Sequence, residues 1–158
     1  MRVAILTISD SVSGGTHQDA SGPNLRERCA QLGWNVVSEG VLPDEPVAIR
    51  DRLASLADNG AADLILTTGG TGIGPRDFTP EATAEVCQKL LPGISELMRE
   101  EGRKKTPRAV LSRAVAGVRG RALVVNLPGS PRGALESLDA IADLLPHALQ
   151  VLGGARHD

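Results

Sequence analysis

Asp63-Leu64-Ile65-Leu66-Thr67-Thr68-Gly69-Gly70-Thr71-Gly72-Ile73-Gly74-Pro75-Arg76-Asp77-Phe78-Thr79-Pro80-Glu81-Ala82-Thr83 reads as a strand, a glycine loop and a helix start in that order. Its opening is a short apolar β-rich run, the pattern of a buried strand. Four glycines fall within the six residues 69–74, where backbone can approach a ligand closely and a positive φ carries no steric cost. Thr79-Pro80-Glu81 has the form of an N-cap, a proline at the first helical position and an acid in the first turn. Bare backbone N–H groups at the mouth of such a loop favour an anion. The arrangement suggests a phosphate-bearing ligand.

Two better-known phosphate loops are excluded as written. A P-loop follows its second glycine with Lys and then Ser or Thr. Gly69 and Gly74 have the spacing, but Pro75 and Arg76 come next. A dinucleotide fingerprint places a third glycine three residues after the second, and beyond Gly70 and Gly72 that position is Pro75. A glycine-rich turn that binds nothing is the bland alternative. Asp77 weighs against it, because electrostatics alone disfavour a carboxylate beside a phosphate pocket. A divalent cation shared between that carboxylate and the phosphates explains it most simply.

With 158 residues the chain suits one domain with a substantial core. Its content, 41% hydrophobic and 23% charged, is ordinary for a globular protein. A net charge of −2 argues against nucleic acid as the main partner. The aromatics are Trp34 and Phe78 alone, too few for a base-stacking platform. Cys29 and Cys87 each fall inside an expected helix, and without a CxxC or Cys/His cluster a zinc site has no support. A disulfide is disfavoured in a chain that reads as intracellular. Met1 to Leu6 is too short an apolar run for a signal peptide, and no stretch is long enough to span a bilayer. A cytoplasmic location without membrane contact is the expectation.

Val3 to Ile8 reads as a central parallel strand, followed by the hydroxyl- and glycine-rich loop Ser9 to Gly15. That loop is either a flexible polar connection or, like the GGTG loop, a ligand loop at the carboxyl end of a strand. A helix is expected from Ser21-Gly22-Pro23 to Leu32, with Gly33 as its stop. Trp34 to Val37 reads as a second strand, and Gly40 to Pro43 as the lead into Asp44-Glu45-Pro46. Proline there starts a helix carrying Ile49, Leu53, Leu56 and Ala57 at helical spacing, and Asp44 or Glu45 suits a plain N-cap.

The helix from Pro80 is expected to end near Leu91, and a further one to run to about Arg103. Arg103, Lys104, Lys105 and Arg108 form a basic cluster of the kind that is usually a solvated face. Ala109 to Val118 and Ala122 to Leu127 are β-rich around Arg119-Gly120-Arg121, which reads as a hairpin or a pair of adjacent strands. Asn126 to Gly133 repeats the strand, glycine turn, Ser cap and proline pattern, and here a well-capped helix and a binding loop are even readings. Pro146 must kink or divide the last helical region. The three histidines, His157 at the end among them, are scattered and none suggests a catalytic dyad. Alternating strands and helices without repeats or linkers give an α/β fold, a mainly parallel sheet covered on both faces.

Ser9–Gly15, Gly69–Asp77 and Asn126–Pro131, with Asp44, supply backbone donors, hydroxyls and carboxylates but no placed nucleophile or general base. Such a set suits phosphoryl or nucleotidyl transfer, in which the protein positions groups and a metal offsets charge.

TTGGTGIGPRDFTPEAT (67–83) closely resembles the signature of the molybdenum-cofactor biosynthesis proteins, the MogA/MoaB group and the G domain of gephyrin. RDFTPEAT resembles the MogA and gephyrin side more than the MoaB side. LTISDS (6–11), LPDE (42–45) and NLPGSPRG (126–133) extend the resemblance over essentially the whole chain. It implies a MogA/MoaB-like, Rossmann-like three-layer sandwich spanning residues 1–158. The reaction it implies is adenylylation of molybdopterin: the pterin phosphate attacks the α-phosphate of ATP, giving adenylyl-molybdopterin and pyrophosphate. Mg²⁺ dependence, a homotrimer and a downstream molybdenum insertase are implied as well.

By the same resemblance Asp44 and Asp77 match the two critical acids and would hold Mg²⁺ or position the phosphates. Gly69, Gly70, Thr71 and Gly72 would face the phosphates. Asp10, Ser11, Gly129, Ser130 and Pro131 would line the pterin and nucleotide pocket, with Pro80 and Glu81 beside them. Ile73-Gly74 departs from the family pattern, and the extra glycine is expected to loosen the loop without touching the acids. Two alternatives stand: a non-catalytic MoaB-like carrier of molybdopterin, and a structural trimer related to larger metal-insertion proteins. Retention of Asp44 with RDFTPEAT favours the enzyme.

Overall fold

Val3 and Ile5 face one way, Ala4, Leu6 and Ile8 the other, and all are buried. A strand so apolar on both sides needs helices on both. The structure, a computed structural model, describes residues 1–155; His157 and the end of the expected 1–158 span lie outside the described residues. The chain runs through β1 (Arg2–Ile8), α1 (Asp10–Ser13), α2 (Ser21–Gln31), β2 (Asn35–Leu42), α3 (Pro46–Asp58), β3 (Leu64–Thr68) and α4 (Thr79–Val86). It continues through β4 (Lys89–Leu90), α5 (Pro92–Arg103), a 3₁₀ turn (Pro107–Leu111), β5 (Ala116–Arg119), β6 (Ala122–Leu127), α6 (Pro131–Ile141) and α7 (Leu145–Leu152).

The six strands form a sheet in the order β2-β1-β3-β6-β5-β4. β2, β1, β3 and β6 are parallel, and β5 and β4 extend the edge antiparallel. Val3, Ile5, Leu64, Leu66, Leu123 and Val125 pack with Leu25, Met98 and Leu138 of α2, α5 and α6 on one face. Ala4, Leu6, Ile65 and Val124 meet Ile49, Leu53 and Val86 of α3 and α4 on the other. This is the expected three-layer α/β sandwich. Strand order reverses between β1 and β3, and in open α/β sheets that switch point opens a crevice at the carboxyl ends of the strands.

Several expected boundaries shift, each for a local reason. Ser9 to Gly15 is no flexible loop: Ser9 Oγ accepts from the Val12 amide (3.2 Å) and caps the single turn α1. β2 continues through Gly40 to Leu42, because the outer half of its ladder pairs with Ile5 to Ile8 of β1. α4 stops at Val86, since the Gln88 amide turns to the Val118 carbonyl (2.8 Å) and Lys89–Leu90 joins the sheet edge. Cys87 therefore ends that helix instead of lying within it. The stretch 107–111 winds as a 3₁₀ turn opened by Pro107 and capped by Thr106, so β5 begins only at Ala116. β5 and β6 do form the expected hairpin, with Gly120 at φ +57° in its two-residue turn. Pro146 opens α7 after the break that ends α6.

A buried polar knot holds the sheet's centre. Asn126 Nδ2 donates to Thr67 Oγ1 (3.0 Å) and Thr83 Oγ1 (2.9 Å), while its Oδ1 accepts from the Val115 amide (3.1 Å). β6, β3, α4 and the entry to β5 are thereby tied through one fully buried side chain. Asn126→Ala leaves that amide and two hydroxyls without their partner, and a loss of about 2 kcal/mol in urea unfolding is expected. An unchanged midpoint would show that the knot contributes nothing net.

Candidate active site

The loops after β1, β2, β3 and β6 meet at the switch point. After β1 and β2, the Asp10 amide donates to Asp44 Oδ2 and the Asp44 amide donates to Asp10 Oδ1, both at 2.9 Å. Arg76 closes this pair from outside: Nε donates to Asp10 Oδ2 (2.7 Å), Nη2 to the Asp44 carbonyl (3.1 Å) and to Glu45 Oε1 (2.7 Å). Glu45 holds the N-cap position of α3, but neither its carboxylate nor that of Asp44 bonds a helix amide, so the plain carboxylate cap is corrected. The cation that the glycine loop does carry, Arg76, is thus spent on organising acids.

After β3, Gly69 and Gly70 have φ values of +106° and +68°. A Cβ on Gly70 would lie 2.3 Å from Thr79 Oγ1 and 3.0 Å from Asp44 Oδ1, so the bare backbone is what admits both groups. Thr79 is not the N-cap of α4, a position held by Phe78. Fully buried, its hydroxyl instead donates to the Gly69 carbonyl (2.9 Å), and its amide donates to the Gly70 carbonyl (3.2 Å). The amides of Gly70, Thr71 and Gly72 donate to no group among the described residues.

Asp77 closes the loop. The Gly74 amide donates to Asp77 Oδ2 (2.8 Å), and the Asp77 amide donates to the Gly74 carbonyl (3.1 Å). The expectation that Gly74 loosens the loop and stays clear of the acids is thus corrected: it forms the turn that holds Asp77. A Cβ on Gly72 or on Gly74 would come within 2.9 Å of that same carboxylate oxygen.

Arg113, which the sequence reading passed over, staples the loop from below. Its Nε donates to the Gly72 carbonyl (2.7 Å), Nη2 to the Asp77 carbonyl (2.8 Å), and its amide to the Thr71 carbonyl (2.8 Å). Glu81 takes the remaining Nη1 (2.9 Å to Oε2). A run reading as a β-strand offered no signal for this; the Ser-Arg after the 3₁₀ turn folds back only in three dimensions.

After β6, Ser130 caps α6 as expected, its Oγ accepting from the Gly133 amide (3.1 Å). Thr68 Oγ1 donates to the Pro128 carbonyl (2.6 Å) and Ser21 Oγ to the Gly129 carbonyl (2.8 Å), seating this turn beside the glycine loop.

Gly70, Thr71, Gly72, Asp77, Gly129 and Ser130 line a cleft of about 420 Å³, whose far wall is α5 and the 3₁₀ turn. Asp44 lies against Gly70 of the lining and is paired with Asp10, but neither acid lines the cleft itself. Ser11 lies in α1, its hydroxyl 3.1 Å from that of Ser9, away from the cleft wall. Gly69 supports the loop from behind, Pro80 is buried in α4, Glu81 acts on Arg113, and Pro131 borders a separate recess between β1 and α2.

Charge is uneven across this site. Arg76, and then the Asp44 amide, hold the Asp10 carboxyl below its usual range. Burial pushes the Asp44 carboxyl up; the Asp10 amide opposes this, and the negative charges of Asp10 and Asp77 add to the rise. A cation would relieve that field. Among the described residues no group of three or more His, Cys, Asp or Glu forms a metal cage of its own. Mg²⁺ needs none, since it takes one or two carboxylates together with water and phosphate oxygens. Hard oxygen donors at Asp44 and Asp77 beside unengaged amides fit that ion with a phosphate ligand. Among the described residues no helix is long and apolar enough to cross a membrane.

Comparison with known proteins gives the family and the fold. Residues 4–147 match the family model described as "Probable molybdopterin binding domain". The chain is 39% identical to the molybdopterin adenylyltransferase of Helicobacter pylori J99 over 156 residues, covering 98% of this chain and 89% of that protein. With the enzyme of the same name from Escherichia coli K12 it shares 36% identity over 168 aligned positions, covering 98% and 86%. The crystal structure of the molybdopterin biosynthesis enzyme MoaB from Thermus thermophilus superposes with a TM-score of 0.92 at 51% identity, covering 99% of each chain.

Proposed function

We propose that this chain, which belongs to the MogA/MoaB family of molybdenum cofactor biosynthesis, is a molybdopterin adenylyltransferase. The observation that carries the reading is the meeting of Asp44 and Asp77 with the unengaged amides of residues 70–72 at the carboxyl ends of β2 and β3.

In the reaction an oxygen of the molybdopterin phosphate bonds to the α-phosphorus of ATP, the bond to the β-phosphate oxygen breaks, and pyrophosphate leaves. Gly70, Thr71 and Gly72 direct backbone N–H groups at phosphate oxygens, donors already in place before charge moves. Asp44 and Asp77 would hold Mg²⁺, whose chemistry there would be to offset phosphate charge. Asp10 and Arg76 keep Asp44 in position. Arg113 and Glu81 do the same for Asp77 through its backbone. Ser130 and Gly129 present the start of α6 to the substrates, with Ser11, Pro80 and Pro131 shaping the surrounding structure. Positioning and electrostatics suffice here, so the lack of a placed nucleophile is no obstacle.

The same reading takes residues 1–158 as one MogA/MoaB-type domain that works in the cytoplasm as a homotrimer and passes adenylyl-molybdopterin to a molybdenum insertase. The deciding experiment incubates the protein with molybdopterin, ATP and Mg²⁺ and follows adenylyl-molybdopterin and pyrophosphate. Both products are expected. Molybdopterin binding with neither product would replace the transferase by a carrier.

A further inference from the structure

The basic run Arg103, Lys104, Lys105, Arg108 has no part in the mechanism above, and the structure splits it. Lys104 pairs with Glu101 on its own helix (2.6 Å) and Lys105 with Glu136 of α6 (3.7 Å). Arg103 is exposed and stands off the cleft. Arg108, in the 3₁₀ turn, lines the cleft and pairs with no carboxylate among the described residues.

A second guanidinium shares that wall. Arg99 lines the cleft, and its Nη1 donates to the carbonyls of Ser112 and Ala114 (3.3 and 3.1 Å), which fixes the group without neutralising it. The carboxylate on this wall, Glu136, is already taken by Arg132 (2.8 Å) and Lys105 (3.7 Å). Ser112 and Ser137 add hydroxyls. The cleft thus has two electrostatic poles, acids at the strand ends and arginines opposite.

Those poles suit different phosphates. Phosphates carrying a divalent cation match the acids. A metal-free phosphate entering the same cleft needs fixed protein cations instead, because desolvating an unpaired charge is costly. Guanidinium forks meet a phosphate with two parallel hydrogen bonds. Resting on the transferase reading, we infer that Arg108, with Arg99 beside it, binds the phosphate monoester of the acceptor molybdopterin and so selects the phosphorylated pterin.

The test compares Arg108→Gln and Arg108→Lys with wild type and with Arg103→Gln. Molybdopterin and ATP affinities are measured separately by calorimetry, alongside steady-state turnover. Losing a hydrogen-bonded charge contact should weaken molybdopterin binding by roughly 10- to 100-fold in Arg108→Gln. ATP binding should stay unchanged. Lysine should restore part of the loss, because it keeps the charge and lacks the fork. Against dephosphorylated pterin the Arg108→Gln change should have no further effect, and Arg103→Gln should behave as wild type throughout. Unchanged molybdopterin affinity, or a loss on ATP, overturns the assignment. Wild type that binds both substrates and forms no product would end the transferase reading, while the molybdopterin affinities would still decide the role of Arg108.

Discussion

Asp77→Asn should lower adenylyl transfer by at least about 100-fold, the scale seen when one preorganised electrostatic contact to a transition state is removed. Its urea midpoint should hardly move. The side chain keeps its shape, and an amide oxygen can still accept from the Gly74 N–H. The bonds that fix residue 77 otherwise come from its backbone, through the Gly74 carbonyl and Arg113. What disappears is one negative charge at the acid pole. The variant should therefore need far more Mg²⁺ and lose turnover at saturating ATP, while molybdopterin, held on the opposite wall, binds as before. Turnover near that of wild type in the folded variant would remove Asp77 from the mechanism.

The parts of this fold that were legible in the sequence are those set by local chemistry. The apolar runs of β1, β3 and β6, the Ser130 cap, the proline starts of α3 and α6 and the division at Pro146 follow from burial, capping and fixed φ. What was hidden depends on partners distant in sequence. Lys89–Leu90 becomes a strand because Val118 and Gly117 lie alongside, and neither residue announces it. Arg113 reaches 41 positions back to the Gly72 carbonyl. Asp44 illustrates the difference within one residue: its place before Pro46 suggests a cap, yet the Asp10 amide claims its carboxylate. Only the adjacency of β1 and β2 brings those acids together.

Gly69→Ala is expected to be the most damaging single-methyl change in the chain. At φ +106° an L side chain is already strained, at a cost of about 1–3 kcal/mol. The added Cβ would also stand 2.2 Å from the Ile8 carbonyl oxygen and 3.3 Å from the Ile8 carbonyl carbon. Those atoms are the backbone of β1, held between β2 and β3, and cannot swing aside as a side-chain tip can. Nor can the glycine retreat, since its amide donates to the Leu127 carbonyl (3.1 Å) and its own carbonyl accepts from Thr79 (2.9 Å). Strain and overlap together should cost more than about 3 kcal/mol, enough to remove much of a typical domain's stability. Gly15→Ala is the fitting comparison: φ is +80° there, but nothing lies within 4 Å of the added methyl, so it isolates the strain. If the two variants unfolded at the same urea concentration, the contact with Ile8 would carry no energy. If Gly69→Ala unfolds much earlier, the close approach of the glycine loop to β1 is what the residue is there to permit. That approach also keeps Gly70 against Asp44, so any folded fraction of Gly69→Ala should transfer adenylate poorly even where its acids are intact.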